Sequence, residues 1–96
     1  MDYNITNYII YNKLFKVIDV LNHNLNSLII PDDIDIINCP VNNLKELLLP
    51  DNLKSLICWS NNINELKLND NLIGLTCDIF VDVKNINNKE LAIIFI

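Results

Sequence analysis

Cys39, Cys58 and Cys77 stand 19 residues apart, and the step is not theirs alone. Ile34, Leu53, Leu72 and Leu91 keep it, as do Ile37, Leu56, Leu75 and Ile94, then Leu28, Leu47 and Leu66, then Asp32, Asp51 and Asp70. Pro31 and Pro50 agree, with Asn69 in the third place. A period this short constrains the fold severely. No unit can bury its own apolar face, so the units must stack and share one core.

Written as units, residues 25–43 read LNSLIIPDDIDIINCPVNN, residues 44–62 LKELLLPDNLKSLICWSNN, and residues 63–82 INELKLNDNLIGLTCDIFVD. Residues 9–24 fit upstream as a degenerate turn, with Phe15, Ile18 and Val20 on the framework. Residues 83–96 fit downstream if one residue is added near Phe80 and one removed near Asn88. That alignment turns Leu91, Ile94 and Ile96 inward, and Ile93 and Phe95 outward. The expected organisation is one domain over residues 1–96: an N-terminal cap and degenerate turn (1–24), three regular turns (25–82) and a C-terminal turn (83–96).

Within each unit the run L-x-L-x-C alternates with period two, as a strand with one buried face does. The second apolar group, L-x-x-L-x-[IL]-P, brings the chain back along the opposite side. Proline then presets φ for a turn, and the aspartate after it accepts local N–H groups. Nineteen residues leave no room for a long helix. These features predict a mainly β fold: a short right-handed solenoid of four to five turns with one parallel sheet, its strands about 4.8 Å apart, and little or no α-helix.

The stretch LKSLICWSNNI (53–63) fits the pattern L-x-x-L-x-C-x-x-N-x-L, and IDIINCPVNNL (34–44) fits it closely. In this the chain resembles the leucine-rich repeat family. LPDNLKSL is similar to the short, proline-bearing repeats of bacterial effector proteins, some of which carry a ubiquitin-ligase domain after the repeats; nothing in this chain corresponds to that domain. The resemblance implies that Asn42 and Asn61 form a ladder joining the turns and that the strand face, concave in that family, meets a ligand. His23 takes the asparagine place in the degenerate first turn and Phe80 in the third regular turn.

Net charge is −5, with seven lysines, no arginine and no basic cluster, which argues against a nucleic-acid partner. No apolar run approaches the ~20 residues of a membrane span, and the first residues lack the flanks of a signal peptide. A cytoplasmic location without membrane contact is expected. Heavy use of asparagine and isoleucine resembles proteins of AT-rich genomes, including amoebal giant viruses and some protists; for a viral protein the location is the host cytoplasm.

Chemistry finds little support. The three cysteines form a straight ladder rather than the C-x₂₋₄-C element of a zinc site, and a disulfide would leave one over. Asp32, Asp33 and Asp35 lack the glycine and the terminal glutamate of a calcium loop. His23 is the only histidine, and no base, nucleophile and oxyanion donors converge. We expect no enzyme, no cofactor and no metal.

Alternation instead directs attention outward. If Leu56 and Cys58 face the core, Ile57 and Trp59 face away. Their equivalents in other turns give an apolar set of Trp59, Ile57, Ile36, Pro40, Val17 and Leu21, with Asp19, Asn38 and Asp78 to orient a partner; Lys54 stands nearby. The expected function is a non-enzymatic protein–protein interaction module using this face, with an unknown protein partner. The alternative is a self-assembling solenoid that dimerises or stacks through its apolar C-terminal turn, Leu91, Ile93, Ile94, Phe95 and Ile96. Tyr3, Tyr8 and Tyr11 are expected to cover the other end.

Overall fold

A computed structural model describes residues 5–10 and 13–96, with the side chain of residue 10 excepted. Tyr3 and Tyr11 of the expected cap lie outside these residues. Eight strands are present among them and no helix: β1 (Ile5–Ile10), β2 (Lys13–Asp19), β3 (Ile36–Asn38), β4 (Ser55–Ile57), β5 (Glu65–Lys67), β6 (Gly74–Cys77), β7 (Asp82–Lys84) and β8 (Ala92–Phe95). No helix of the described residues is long and apolar enough to cross a membrane.

The 19-residue step becomes a β-solenoid of about four turns. Val17 pairs with Ile36, Ile36 with Ser55, and Ser55 with Gly74, all in parallel register. The main sheet has the order β1-β2-β3-β4-β6-β8. Two features extend the expected single parallel sheet. β1 folds back antiparallel on β2, placing Thr6 beside Val17 and Tyr8 beside Phe15. On the return side, β5 and β7 form a second, two-stranded parallel sheet.

The interior is built from the repeated columns. Ile18, Ile37, Leu56 and Leu75 are buried in one; Ile34, Leu53 and Leu72 in another; Leu25, Leu44 and Ile63 in a third. Each such side chain contributes about 1.5–3 kcal/mol by leaving water. The strands are short because each turn bends immediately after its cysteine position. Asn22, Val41 and Ser60, one per turn, adopt left-handed φ values of 55°, 58° and 55°.

That bend exposes backbone groups to the interior, and the asparagine after it satisfies them. Asn42 Oδ1 accepts from the N–H groups of His23 (3.1 Å) and Leu25 (2.9 Å), while its Nδ2 donates to the carbonyls of Val20, Cys39 and Pro40. Asn61 Oδ1 accepts from Leu44 N, and its Nδ2 donates to the carbonyls of Cys39, Cys58 and Trp59. Both side chains are buried. His23 is not the first rung of this ladder: it is exposed, and its ring nitrogen bonds the carbonyl of Leu21.

A second asparagine ladder runs where the first two turns have proline. Asn69 Nδ2 donates to the carbonyls of Pro50 (2.7 Å), Asp51 and Leu53, and Asn88 Nδ2 to that of Leu72. Proline stiffens the turn by its ring, whereas asparagine ties it to the turn below; the same corner is held in two ways.

The last turn departs from the expected alignment. Leu66 pairs with Val83, a step of 17, and Leu75 with Ile93, a step of 18. The chain after Cys77 therefore loses residues where an extra one was expected. It makes a tight turn, with Val81 N donating to Asp78 O at 3.1 Å, and Phe80 has no amide to support the wider bend of earlier turns. A one-residue slip reverses every side chain of a strand. Ile93 joins the column of Leu75 and Phe95 that of Cys77, while Ile94 lines up with Thr76 on the outer face. The expected directions of Ile93, Ile94 and Phe95 are thus corrected, and that of Ile96 with them.

Candidate interaction face

Three outward columns cross the main sheet. The first holds Val17, Ile36, Ser55, Gly74 and Ala92; the second Asp19, Asn38, Ile57, Thr76 and Ile94. The third, just beyond the strands, follows from continued backbone bonds. Asn22 N donates to Pro40 O, and Val41 N to Trp59 O. Cys58 N donates to Thr76 O, Ile96 N to Cys77 O, and Ile79 N to Ile96 O. These bonds align Leu21, Pro40, Trp59, Asp78 and Ile96.

The N-terminal half of this face is largely closed. Val17 is only 6 % exposed although it lies outside the interior cluster, because β1 adds a neighbour on one side and Ile36 flanks it on the other. Pro40 is buried as well. Neither is presented to a partner, a correction to the expected set caused by the hairpin and by close stacking of turns. Ile36 is half-buried, and Leu21 is exposed at the rim. Asp19 and Asn38 satisfy each other, Asn38 Nδ2 donating to Asp19 Oδ1 at 2.9 Å.

The C-terminal half is open. Ile57 and Trp59 are half-buried, Ile94 is 61 % exposed and Ile96 60 %. The register slip joins two sets that the sequence separates: Ile57 and Trp59 from one, Ile94 and Ile96 from the other. They stand in shared columns two strands apart, about 10 Å at ordinary strand spacing. Asp78 lies between Trp59 and Ile96. One of its oxygens accepts from Ser60 N at 2.9 Å and the other from Asn61 N at 3.4 Å. Its carboxylate therefore braces the loop that carries Trp59, a structural duty beyond the orienting one expected.

The remaining C-terminal residues close the end of the stack. Leu91 and Ile93 are half-buried against the core, and Phe95, 47 % exposed, extends the column of Cys77. β8 is the terminal strand of the main sheet, with β6 as its partner among the described residues.

The cysteines are free and buried. Burial pushes the Cys39 thiol up to about 12 and raises Cys58 and Cys77 too; neighbouring cysteines and Asp78 add to the rise at Cys58, and Asp78 to that at Cys77. A thiol held protonated and enclosed is a poor nucleophile and a poor ligand. Among the described residues no group of three or more His, Cys, Asp or Glu side chains could hold a metal. On the return side a depression of about 640 Å³ is lined in part by Leu28, Ile29 and Leu48 with Lys45 and Glu46. It gathers no set of catalytic groups.

Three participants were not foreseen from the sequence. Thr6, brought in by the hairpin, closes the face beside Val17, and its buried hydroxyl has no hydrogen-bond partner. Asn69 and Asn88 brace the return side; the 19-residue step that runs from Pro31 through Pro50 to Asn69 and Asn88 was the available signal. No protein-family model, curated protein or solved structure matches the chain.

Proposed function

We propose that this protein is a non-enzymatic interaction module that binds a protein partner through the C-terminal half of its strand face. The observation that carries this reading is the convergence of Ile57, Trp59, Ile94 and Ile96 in adjoining outward columns, on a face whose other half buries Val17 and Pro40. An aromatic anchor among aliphatic neighbours is the composition of interface hot spots. The expected place of this work is the cytoplasm, and it needs no cofactor.

The test is capture with substituted baits and identification of the bound proteins. Trp59→Ala and Ile94→Asp should lose the same partner, while Leu48→Asp, on the return side at a position 85 % exposed, should keep it. Retention of that partner by both face variants would end this reading.

The terminal strand supports a second reading. β8 presents one unpaired edge among the described residues, carries no charge, and is flanked by Leu91 and Ile96. Such an edge invites a further strand, and a second copy of this chain could supply it. Sedimentation at micromolar concentration should then show a dimer or longer stack that Phe95→Lys disperses. A monomer throughout would leave the first reading alone.

A further inference from the structure

The charge on the strand face is of one sign. Asp78, in the open half, and Asp19, in the closed half, are the charged residues of its three columns. The ion pairs among the described residues are Lys16–Asp33 and Lys84–Asp82, so neither face carboxylate has a cation beside it. Asp78 is held in place by Ser60 N and Asn61 N, within the loop that presents Trp59. Those N–H groups are neutral donors, and Asp78 is the neighbour of Trp59 in the third column.

Shape supports an extended occupant. The first column falls to Ser55, Gly74 and Ala92 over β4, β6 and β8, three small residues beside the bulkier Ile57, Thr76 and Ile94. Even a Cβ added at Gly74 would meet Ser55 Oγ at 3.3 Å, so the floor is low and closely packed. A shelf with a low floor, an aliphatic wall and an aromatic end receives a strand or an extended peptide more readily than a compact ligand.

We propose that the occupant is an extended partner segment in which a lysine or arginine is flanked by aliphatic side chains. The cation packs on Trp59 beside Asp78, and the aliphatic groups cover Ile57, Ile94 and Ile96. Attraction of a cation to an indole face strengthens when a carboxylate is near and water is displaced. The net charge of −5 steers a basic segment toward this protein and opposes a second copy on the same surface. This inference rests on the interaction-module reading and adds the chemistry of the partner.

Trp59 is the only tryptophan, so its emission reports occupancy directly. The probes are acetylated, amidated pentapeptides of alternating leucine and lysine, with glutamine or glutamate replacing lysine in two controls. The lysine peptide should give a saturable shift in emission, weakening as salt screens the charges. The glutamine peptide should bind roughly tenfold more weakly, and the glutamate peptide more weakly still. Ile94→Lys, at an exposed position where circular dichroism should show the fold retained, should abolish binding of the lysine peptide.

Equal binding of the lysine and glutamine peptides, or undiminished binding of the lysine peptide to Ile94→Lys, would overturn the proposal. So would the lack of a saturable response to any of the three. The wider reading fails separately, when Trp59→Ala and Ile94→Asp keep the captured partner.

Discussion

The middle turns and the C-terminal turn are made of the same kinds of residue but obey different constraints. Between β3 and β4 the step is 19 residues, and Asn42 and Asn61 hold wide left-handed bends. After β6 the steps are 17 and 18, Phe80 stands exposed in the asparagine place, and no amide spans the bend. The regular bends are thus the ones a buried amide reaches, the first of them from the turn that follows: Asn42 bonds Val20 O and the N–H groups of His23 and Leu25. Chain length decides which way the following strand faces. The middle turns are regular because their polar groups are satisfied from within; the last turn gives up regularity and acquires an apolar outer face.

The largest effect should come from breaking the middle turns. Asn42→Ala takes the partner from the buried Leu25 N–H and Val20 carbonyl and from the half-buried His23 N–H, at about 1–3 kcal/mol for each group left without one, while Pro40 O keeps Asn22 N and Cys39 O keeps Asn61 Nδ2. A loss of about 3–5 kcal/mol in chemical denaturation is expected. Phe80→Asn, the converse change, should gain less than about 0.5 kcal/mol, because its bend no longer has the shape the amide spans. A gain comparable to the Asn42 loss would erase the distinction between the two regions.

The cysteine ladder gives a pH-dependent test. The unfolded chain releases its thiol protons near the ordinary value of 9.0, whereas folded Cys39 holds its proton up to about 12. Folding stability is therefore unaffected below pH 9 and falls as pH rises through this window. The slope is at most about 1.4 kcal/mol per pH unit for each thiol. Replacing Cys39 with alanine should flatten the alkaline limb of a stability–pH curve. Thiol-specific labelling of the folded protein near neutral pH should be slow at all three cysteines, and rapid labelling would contradict their burial.

A smaller effect isolates the bend itself. Val41 is β-branched and sits at φ 58°, where its column mates are Asn22 and Ser60. Such a residue is strained in the left-handed region, so Val41→Gly or Val41→Asn should raise the thermal midpoint, by about 1 kcal/mol in free energy for asparagine. Glycine should gain less, because it also frees the unfolded chain.

The smallest change in stability is expected on the open face. Ile94→Asp should cost under about 0.5 kcal/mol at so exposed a position, while removing partner capture. Val17→Asp, on the closed half, should instead destabilise strongly by burying a charge without a partner. Equal tolerance of the two would show that the halves of the face are alike.

Much of this was legible in advance, for identifiable reasons. The columns through Ile37 and Leu56, the cysteine ladder and the two buried asparagines follow from a strict period, which any stack must preserve. The closure of Val17 was not legible, since it depends on residues 5–10 returning antiparallel, and local alternation carries no information about a partner strand. Nor was the outward turn of Ile94 and Ile96. The C-terminal segment is apolar at nearly every position, so either register buries hydrophobic side chains and pattern alone cannot choose between them.

The sequence by itself determined that this chain is a stacked β-solenoid, because units of 19 residues with one alternating apolar face have no other way to leave water. Only the tertiary structure decided where its surface is open. That depended on how many residues the last bend consumes, a count that hydrophobic alternation does not fix because either register of an apolar strand buries apolar side chains.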